Sequence, residues 1–395
     1  MQVLVLNSGS SSIKFQLFKM PEQDILCSGI IERIGTKKAK FKFKTSKHKI
    51  SEKSPILNHK QGLERLANQL LDKETGIIEK PEDITVVGHR VVHGGRHFTD
   101  TTIVTDAVKK KIRELSTLAP LHNPPNLEGI EVAEEIFPNA KQVAVFDTAF
   151  HQSIPEYAYK YAIPSKYCDD YGIRVYGFHG TSHKYVAKKA NTYLGKTKSN
   201  VITIHLGNGC SITAVKDGKS IDCSLGFSPI SGLIMGTRSG DIDTTIVFHL
   251  ASKHNIPYED INVMLQQESG MYGLTGYSDL RDIEEQAALG DKKCQLALDM
   301  NAYRIKRFIG SYAAILNGLD AIVFTAGIGE NSDVIRRLVC KDLDYLGIEL
   351  DFEKNNVRAQ KLEEINTEDS KVKVLVIPTN EELEIALEAM ELINN

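Results

Sequence analysis

The feature that most constrains this chain is a small polar turn between two apolar strands near residue 10. Residues 3–6 are four consecutive apolar residues, typical of a buried strand, and residues 13–18 return with the alternation of a second strand. The turn between them consists of Asn, Gly and Ser. It adds little to a core, but its backbone N–H groups and hydroxyls suit a phosphate. Alone, the stretch is equally well explained as an ordinary Gly/Ser hairpin turn.

A second strand–turn–strand unit favours the phosphate interpretation. Residues 201–215 repeat the pattern around a glycine-rich turn, and placing Ser211 over Ser12 gives an offset of about half the chain. Two halves that open in this way resemble the duplicated domains of the actin, sugar kinase and Hsp70 ATPase superfamily. The resemblance implies an α/β fold of two actin-like (ribonuclease H-like) domains, with nucleotide phosphates in the cleft between the turns. No G-x-x-x-x-G-K-[ST] segment is present, so a P-loop does not explain the pattern.

Composition limits the function classes open to the chain. Its 395 residues predict two or more domains, and 42% hydrophobic with 25% charged residues is typical of soluble globular proteins. A net charge of −3 predicts no nucleic-acid or membrane partner, and the lysine-rich residues 37–53 alternate with Phe like a half-solvated strand. No apolar run reaches the length of a transmembrane helix, and the first residues do not predict a signal peptide. Six scattered cysteines without a C-x-x-C pair predict reduced thiols, no structural zinc and a cytoplasmic location.

Two predicted strands carry charge where a core strand should not. Residues 84–95 form a valine-rich run that includes His89, Arg90 and His93. An arginine there needs an anion, either an internal carboxylate or a ligand. Residues 141–148 predict a strand that ends at Asp147, and open α/β sheets bind ligands at the carboxyl ends of their strands. Asp147 is therefore a candidate site residue, with a helix N-cap as the alternative.

The domain boundary is predicted near residue 150. Beyond it, His179 lies in a glycine-flanked loop before a helix predicted over residues 182–194, which Ser182 would cap in the simpler explanation. Arg238 lies in a glycine-rich loop over residues 224–243. A strand at residues 321–324 leads into a glycine-rich turn and a helix, an arrangement common at nucleotide sites. Further helices are predicted over residues 61–71, 106–118, 126–137, 246–252, 258–268, 279–289 and 292–316, and after residue 381.

Taken together, these segments resemble the acetate kinase family. VLNSGSSSIKF and GHRVVHGG are similar to its two signature motifs, and FDTAFH, YGFHGTSH, HLGNG, MGTRSGDID, TAGIGENS and PTNEE follow in the expected order over essentially the whole chain. The resemblance implies reversible transfer of the ATP γ-phosphoryl group to acetate, giving ADP and acetyl phosphate. It also implies Mg²⁺, with Mn²⁺ as the alternative, and a homodimer. The implied domains are residues 1–150, joined by a helix at about 382–395, and residues 151–381.

The resemblance assigns roles by position. Asn7 and Glu381 match positions near the magnesium ion. Asp147 matches the catalytic acidic residue and His179 the histidine that stabilises the transition state. The two arginines that flank the carboxylate and the phosphoryl group are Arg90 and Arg238. The nucleotide and phosphate positions are Ser10, Ser12, Lys14, His205, Leu206, Gly207, Asn208, Gly209, Asp279, Leu280, Arg281, Gly327, Ile328, Gly329, Glu330 and Asn331. The acyl pocket, beside Arg90, is formed by Val92, Leu121, Phe178 and Pro229.

The chain departs from the family pattern at two places. Thr244 stands where the family usually has Pro, and residues 276–279 are one residue shorter than the usual Ser-rich segment. The first change affects the start of a helix, and the second affects contacts with the adenosine.

The chemistry is consistent with these residue types. A carboxylate is already ionised near neutral pH, so it needs no general base, and Asp147 is better interpreted as a positioning group. The obstacle is to bring two anions together and to stabilise charge on the phosphoryl oxygens. Three alternatives remain open. One is a propionate or butyrate kinase, since one methylene changes selectivity by only about 1–3 kcal/mol. Another is a conformational ATPase, which would not need the two arginines for a carboxylate substrate. The third and weakest is an acetyl phosphatase that releases phosphate.

Overall fold

The computed structural model describes residues 1–395 and contains fourteen strands and fifteen α-helices. The strands are β1 Gln2–Ser8, β2 Ser12–Lys19, β3 Asp24–Glu32, β4 Thr36–Lys44, β5 Lys49–Ile56, β6 Val86–Val91, β7 Thr102–Ile103, β8 Lys141–Phe146, β9 Asn200–Leu206, β10 Cys210–Lys216, β11 Lys219–Cys223, β12 Ala321–Thr325, β13 Glu363–Glu364 and β14 Lys373–Val376.

The helices are α1 His59–Leu70, α2 Asp106–Glu114, α3 Asn123–Ile136, α4 Glu156–Tyr159, α5 Ser165–Tyr171, α6 Gly180–Leu194, α7 Thr245–His254, α8 Tyr258–Gln267, α9 Gly270–Thr275, α10 Leu280–Ala288, α11 Lys292–Leu316, α12 Ala326–Asn331, α13 Asp333–Cys340, α14 Phe352–Asn355 and α15 Glu381–Asn394. None of the fifteen α-helices combines the length and the hydropathy that a membrane-spanning helix needs. All six cysteines are buried and unpaired.

The chain forms two compact units, residues 1–150 with 380–395, and residues 151–379. The first unit is built on an eight-stranded sheet in the order β5-β4-β3-β2-β1-β6-β8-β7. Its central strand β1 pairs antiparallel with β2 and parallel with β6. Leu4 and Leu6 of β1 point into a core shared with α1 and α3. On the other face, Ile385 of α15 lies beside Gly88 of β6. Both faces of the central strands are therefore covered.

The second unit repeats this topology. Its six-stranded sheet has the order β11-β10-β9-β12-β14-β13. Its central strand β9 pairs antiparallel with β10 and parallel with β12, as β1 does with β2 and β6. Each sheet also ends in a two-residue strand that pairs antiparallel with its neighbour. The α/β class and its duplication are thus confirmed. The six strands of the second sheet correspond to β3-β2-β1-β6-β8-β7, β4 and β5 have no counterpart, and the two polar turns occupy equivalent places.

Several predicted element boundaries are off by a few residues, and two differences from the prediction have clear local reasons. Helix α3 begins at Asn123, three residues before the predicted start, because Pro124 and Pro125 occupy its first turn, where no N–H partner is needed. The glycine-rich residues 326–331, predicted to be a turn before a helix, themselves form the short helix α12. Ala326 enters this helix with φ +63°, so the chain turns at a single residue.

Candidate active site

A side chain of α3 fixes the polar turn of the first unit by hydrogen bonds. Gly9 N donates to Ser12 O at 2.8 Å, which closes the turn. Asn126 of α3 donates through Nδ2 to Ser8 O at 2.6 Å, and its Oδ1 accepts from Val92 N at 3.0 Å. One buried amide thus joins the turn to the end of β6. Ser10 is exposed and Ser12 half-buried, so the turn is fixed while its hydroxyl-bearing residues stay accessible.

Helix α1 provides a second support for the same turn. His59 Nε2 donates to Gly9 O at 2.7 Å, and its Nδ1 lies 3.2 Å from Glu128 Oε2. Lys14, paired with Asn7 across β1 and β2, is exposed. The turn is therefore fixed by hydrogen bonds from α1 and α3, and the exposed Lys14 provides an accessible positive charge beside it.

Arg90 finds its anion inside the first unit. Strands β6 and β8 are parallel neighbours, so Arg90 and Asp147, the residue after β8, lie at the same carboxyl end of the two strands. Arg90 Nη2 forms an ion pair with Asp147, whose side chain is 2% exposed, and Nη1 donates to Asn7 Oδ1 at 3.3 Å. Arg90 Nε is buried without a hydrogen-bond acceptor from the protein. The structure thus brings together Asn7, Arg90 and Asp147, and leaves one guanidinium donor unsatisfied.

A second carboxylate belongs to this cluster. Glu381, the first residue of α15, has its pKa raised by burial and by the nearby Asp147, against the opposing pull of Arg90. Burial alone would lower the pKa of Arg90, but Asp147 and Glu381 outweigh it and the pKa is raised. The cluster thus contains two carboxylates and one guanidinium, with Asp147 paired to Arg90 and Glu381 close enough to interact with both, so it favours binding of a further cation.

The two histidines beside Arg90 are structural. Burial lowers the pKa of His89 to about 4, and its Nε2 donates to Gln142 Oε1 at 2.7 Å. Burial also lowers the pKa of His93 to about 4. Of the three basic residues in this stretch, only Arg90 is charged near neutral pH.

In the second unit, His179 is held by its backbone and by a serine. It precedes α6 with φ +56°, in the left-handed region, and its Nδ1 lies 2.9 Å from Ser211 Oγ. Its ring stacks on His205, with the ring centroids 4.3 Å apart. Ser182 does not cap α6, because its hydroxyl lies 2.9 Å from both His205 Nδ1 and Thr379 Oγ1. His205 therefore fixes the orientation of the His179 ring by stacking against its face.

Arg238 lies beside His179 at the second polar turn. The position that a Cβ atom on Gly209 would take is 3.4 Å from His179 Nε2 and 3.5 Å from Arg238 Nη1. Arg238 Nη1 donates to Pro229 O at 3.0 Å, and burial lowers the pKa of the guanidinium. A Cβ atom on Gly236 would lie 2.4 Å from Asn208 Oδ1, so a side chain at position 236 would displace the Asn208 amide from the turn.

A cavity of about 760 Å³ opens in the second unit between the turn, α10 and α12. The residues predicted for the nucleotide that line it are Leu206, Gly207, Asn208, Asp279, Leu280, Arg281, Gly327, Ile328 and Asn331. His205, Gly209, Gly329 and Glu330 do not line it. Asp279 caps α10, because its Oδ1 accepts a hydrogen bond from Arg281 N at 3.0 Å. Its Oδ2 also pairs with the guanidinium of Arg281, with Nη2 at 2.5 Å.

More than half of the residues that line the cavity were not predicted from the sequence. The additional lining residues are Cys210, Ile234, Met235, Gly236, Met271, Ser278, Glu284, Asn301, Ser332, Asp333, Asn356, Val357 and Arg358. Some carried a signal, since Ile234, Met235 and Gly236 interrupt a polar glycine-rich loop with apolar residues. Residues 356–358 carried no such signal, because their loop has no distinctive sequence pattern and only the tertiary structure brings it to the cavity.

The residues predicted for the acyl pocket divide between the units. Val92 and Phe178 are buried, with 6% and 3% of their surface exposed, whereas Leu121 is 64% exposed. Pro229 is half-buried, and its carbonyl holds Arg238. Val92 and Leu121 belong to the first unit, and Phe178 and Pro229 to the second.

Comparison with known proteins gives full-length matches. The model of the Acetokinase family matches residues 2–387. An acetate kinase of Flavobacterium johnsoniae is 60% identical over 395 residues, which cover 100% of both chains. The crystal structure of Porphyromonas gingivalis acetate kinase matches with a TM-score of 0.94 at 42% identity, over 99% of both chains. A propionate kinase of Francisella tularensis matches with a TM-score of 0.93 at 44% identity, also over 99% of both chains.

Proposed function

Because this chain belongs to the acetokinase family, we propose that it transfers the γ-phosphoryl group of ATP reversibly to acetate, giving ADP and acetyl phosphate. The observation that carries this proposal is the 60% identity to an acetate kinase over the full length of both chains. The side chains support it, since each unit presents a guanidinium at the end of a sheet where a ligand of an open α/β fold binds.

In this proposal, Arg90 binds the acetate carboxylate. Its Nε has no acceptor in the protein, and an oxygen of a bound carboxylate would supply one. Asp147 and Asn7 hold the guanidinium in place through its Nη atoms. The acetate is already ionised, so its oxygen attacks the phosphorus directly as the bond to ADP breaks. Asp147 orients Arg90 and accepts no proton.

His179 and Arg238 stabilise the transferring phosphoryl group in this proposal. Both present nitrogen atoms to the same position beside Gly209, so one phosphoryl group can accept from both. The backbone N–H groups of the two polar turns and the charge of Lys14 assist the nucleotide phosphates. The cavity next to the second turn takes the nucleoside, with its 760 Å³ within the range of small-molecule sites.

The residues of the first unit fit a divalent metal ion. Asn7 offers an amide oxygen, Asp147 is paired with Arg90, and Glu381 is a second carboxylate near both. Protein sites for Mg²⁺ use one or two carboxylates together with substrate phosphates, so we assign the metal to Asn7 and Glu381, with Mg²⁺ preferred to Mn²⁺. When bound, the ion neutralises phosphate charge. The protein supplies oxygen ligands and keeps Arg90 beside them.

Two further proposals concern the acyl group and assembly. Val92 and Leu121 in the first unit and Phe178 and Pro229 in the second are the residues that we propose for selection of the acyl group. Propionate is the alternative acid, because one methylene is worth only about 1–3 kcal/mol in an apolar pocket. We also propose a homodimer. Helix α7 buries none of its residues, and Phe248 within it is 61% exposed, so a second copy of the chain would cover it.

Trapping of the acyl phosphate with hydroxylamine tests the reaction. We expect hydroxamate and ADP to form together from ATP, Mg²⁺ and acetate, less from propionate and least from butyrate. ATP turnover without any acid measures the conformational-ATPase alternative. Turnover independent of acetate, with no hydroxamate, would refute the proposal, and a preference for propionate would replace acetate by the alternative acid.

A further inference from the structure

A row of buried polar side chains lies behind His179 in the second unit. Ser211 Oγ on β10 is 2.9 Å from His179 Nδ1 and 2.7 Å from His183 Nε2. The other ring nitrogen of His183, Nδ1, is 2.7 Å from Thr203 Oγ1 on β9. Thr203, His183 and Ser211 are each 0% exposed. The four side chains form one continuous hydrogen-bonded row from Thr203 to His179.

The protons of this row can be counted. Each hydroxyl has one proton, and a neutral imidazole has one N–H and one bare nitrogen. Burial holds the pKa of His183 well below its usual range, so its ring is neutral. Ser211 has one proton for two ring nitrogens, so it donates to one histidine and accepts from the other.

Only one direction satisfies every group. If His179 donated from Nδ1, Ser211 would donate to His183, and His183 would donate to Thr203. The Thr203 proton would then lack an acceptor, because its hydroxyl bonds only to His183, and a buried unsatisfied donor costs about 1–3 kcal/mol. In the opposite direction, Thr203 donates to His183 Nδ1, His183 Nε2 donates to Ser211, and Ser211 donates to His179 Nδ1.

We propose that Thr203, His183 and Ser211 are positioning residues that hold neutral His179 in the tautomer with its proton on Nε2. That nitrogen lies beside the Gly209 position, as does Arg238 Nη1. Nε2 is therefore a fixed N–H donor toward an anionic oxygen, and the bare nitrogen points into the protein. The role of this donor rests on the proposed function, whereas the tautomer itself follows from the hydrogen bonds.

Nitrogen-15 NMR of the full chain with labelled histidine tests the tautomer. His179 signals are assigned with His179→Gln, and spectra are recorded without substrate where the ring is neutral. We expect Nε2 to carry the proton in the wild type and Ser211→Ala to populate the Nδ1-protonated form. Ser182→Ala is the matched control, because it removes a serine hydroxyl 2.9 Å from His205 Nδ1 but leaves Ser211 in place; it should leave the His179 tautomer unchanged.

Kinetics provide the second readout. Loss of one hydrogen bond predicts that kcat of Ser211→Ala falls about 3- to 10-fold, with little change in KM for ATP. A wild-type His179 protonated on Nδ1 would overturn the proposal even if Ser211→Ala did not fold. An unchanged tautomer in folded Ser211→Ala would remove Ser211 from it. Because the tautomer is read without substrate, absence of acetate-dependent turnover would refute the proposed function and leave this inference intact.

Discussion

Gly209→Ala should abolish most activity without unfolding the protein. The added Cβ would lie 3.4 Å from His179 Nε2 and 3.5 Å from Arg238 Nη1, which are ordinary van der Waals distances. Gly209 does not have a positive φ, so alanine fits its backbone. The methyl group would nevertheless occupy the place where an oxygen must come within about 2.7–3.2 Å of a donor to be hydrogen-bonded.

The expected size of the effect follows from the two donors. Loss of one comparable donor lowers kcat about 10²–10³-fold, or about 2.7–4 kcal/mol. We therefore expect kcat of Gly209→Ala to fall by about 100-fold or more. The free energy of unfolding should stay constant or rise by about 0.4–1 kcal/mol, since alanine restricts the unfolded chain. Affinity for ADP should change little, because Gly209 does not line the cavity and alanine keeps the backbone N–H that the turn offers to the phosphates.

The assay is steady-state hydroxamate formation, with thermal melts and ADP titration on the same preparations. Gly310→Ala in α11 is the matched control. Its Cβ would meet nothing nearer than Tyr345 Oη at 4.0 Å, so it should keep wild-type kcat and gain up to about 1 kcal/mol of stability. A folded Gly209→Ala variant with kcat within about fivefold of wild type would refute the placement of the phosphoryl group beside Gly209.

Three further predictions concern other parts of the molecule. Arg90→Ala should lower kcat about 10²–10³-fold and also lower the melting temperature, since Asp147 loses its ion-pair partner; a loss of only a few-fold in kcat would make Arg90 structural. Val92→Ala should shift relative kcat/KM toward propionate by about 1 kcal/mol, and an unchanged ratio would place Val92 outside the acyl pocket. Burial raises the pKa of Asp222 to about 6, so its stabilising contribution is present below pH 4 and is lost as pH rises through 6. The free energy of unfolding, measured in urea at each pH, should therefore depend less on pH between 4 and 6.5 in Asp222→Asn than in the wild type. An identical pH dependence in both proteins would contradict this.

Local patterns in the sequence determined most of the secondary structure. The alternation and apolar runs at residues 3–18 and 201–215 are visible without any neighbours, and they became the central strands of both sheets. Long periodic segments were equally clear, since the helix predicted over residues 292–316 is α11. Boundaries failed where residue preference was ambiguous, as at Pro124 and Pro125, which fit a loop and a first helical turn equally well.

Tertiary structure alone decided which of the chemical groups meet. The sequence showed that Arg90 needs an anion, but only the parallel pairing of β6 and β8 identifies that anion as Asp147. Likewise, nothing near Ser211 in the sequence connects it with His179 or with Thr203. Hydrogen bonds such as these join residues that are distant along the chain, so they depend on strand register and helix packing. A single sequence specifies those only through the whole fold, which is why the residue types of the site could be read locally and its proton arrangement could not.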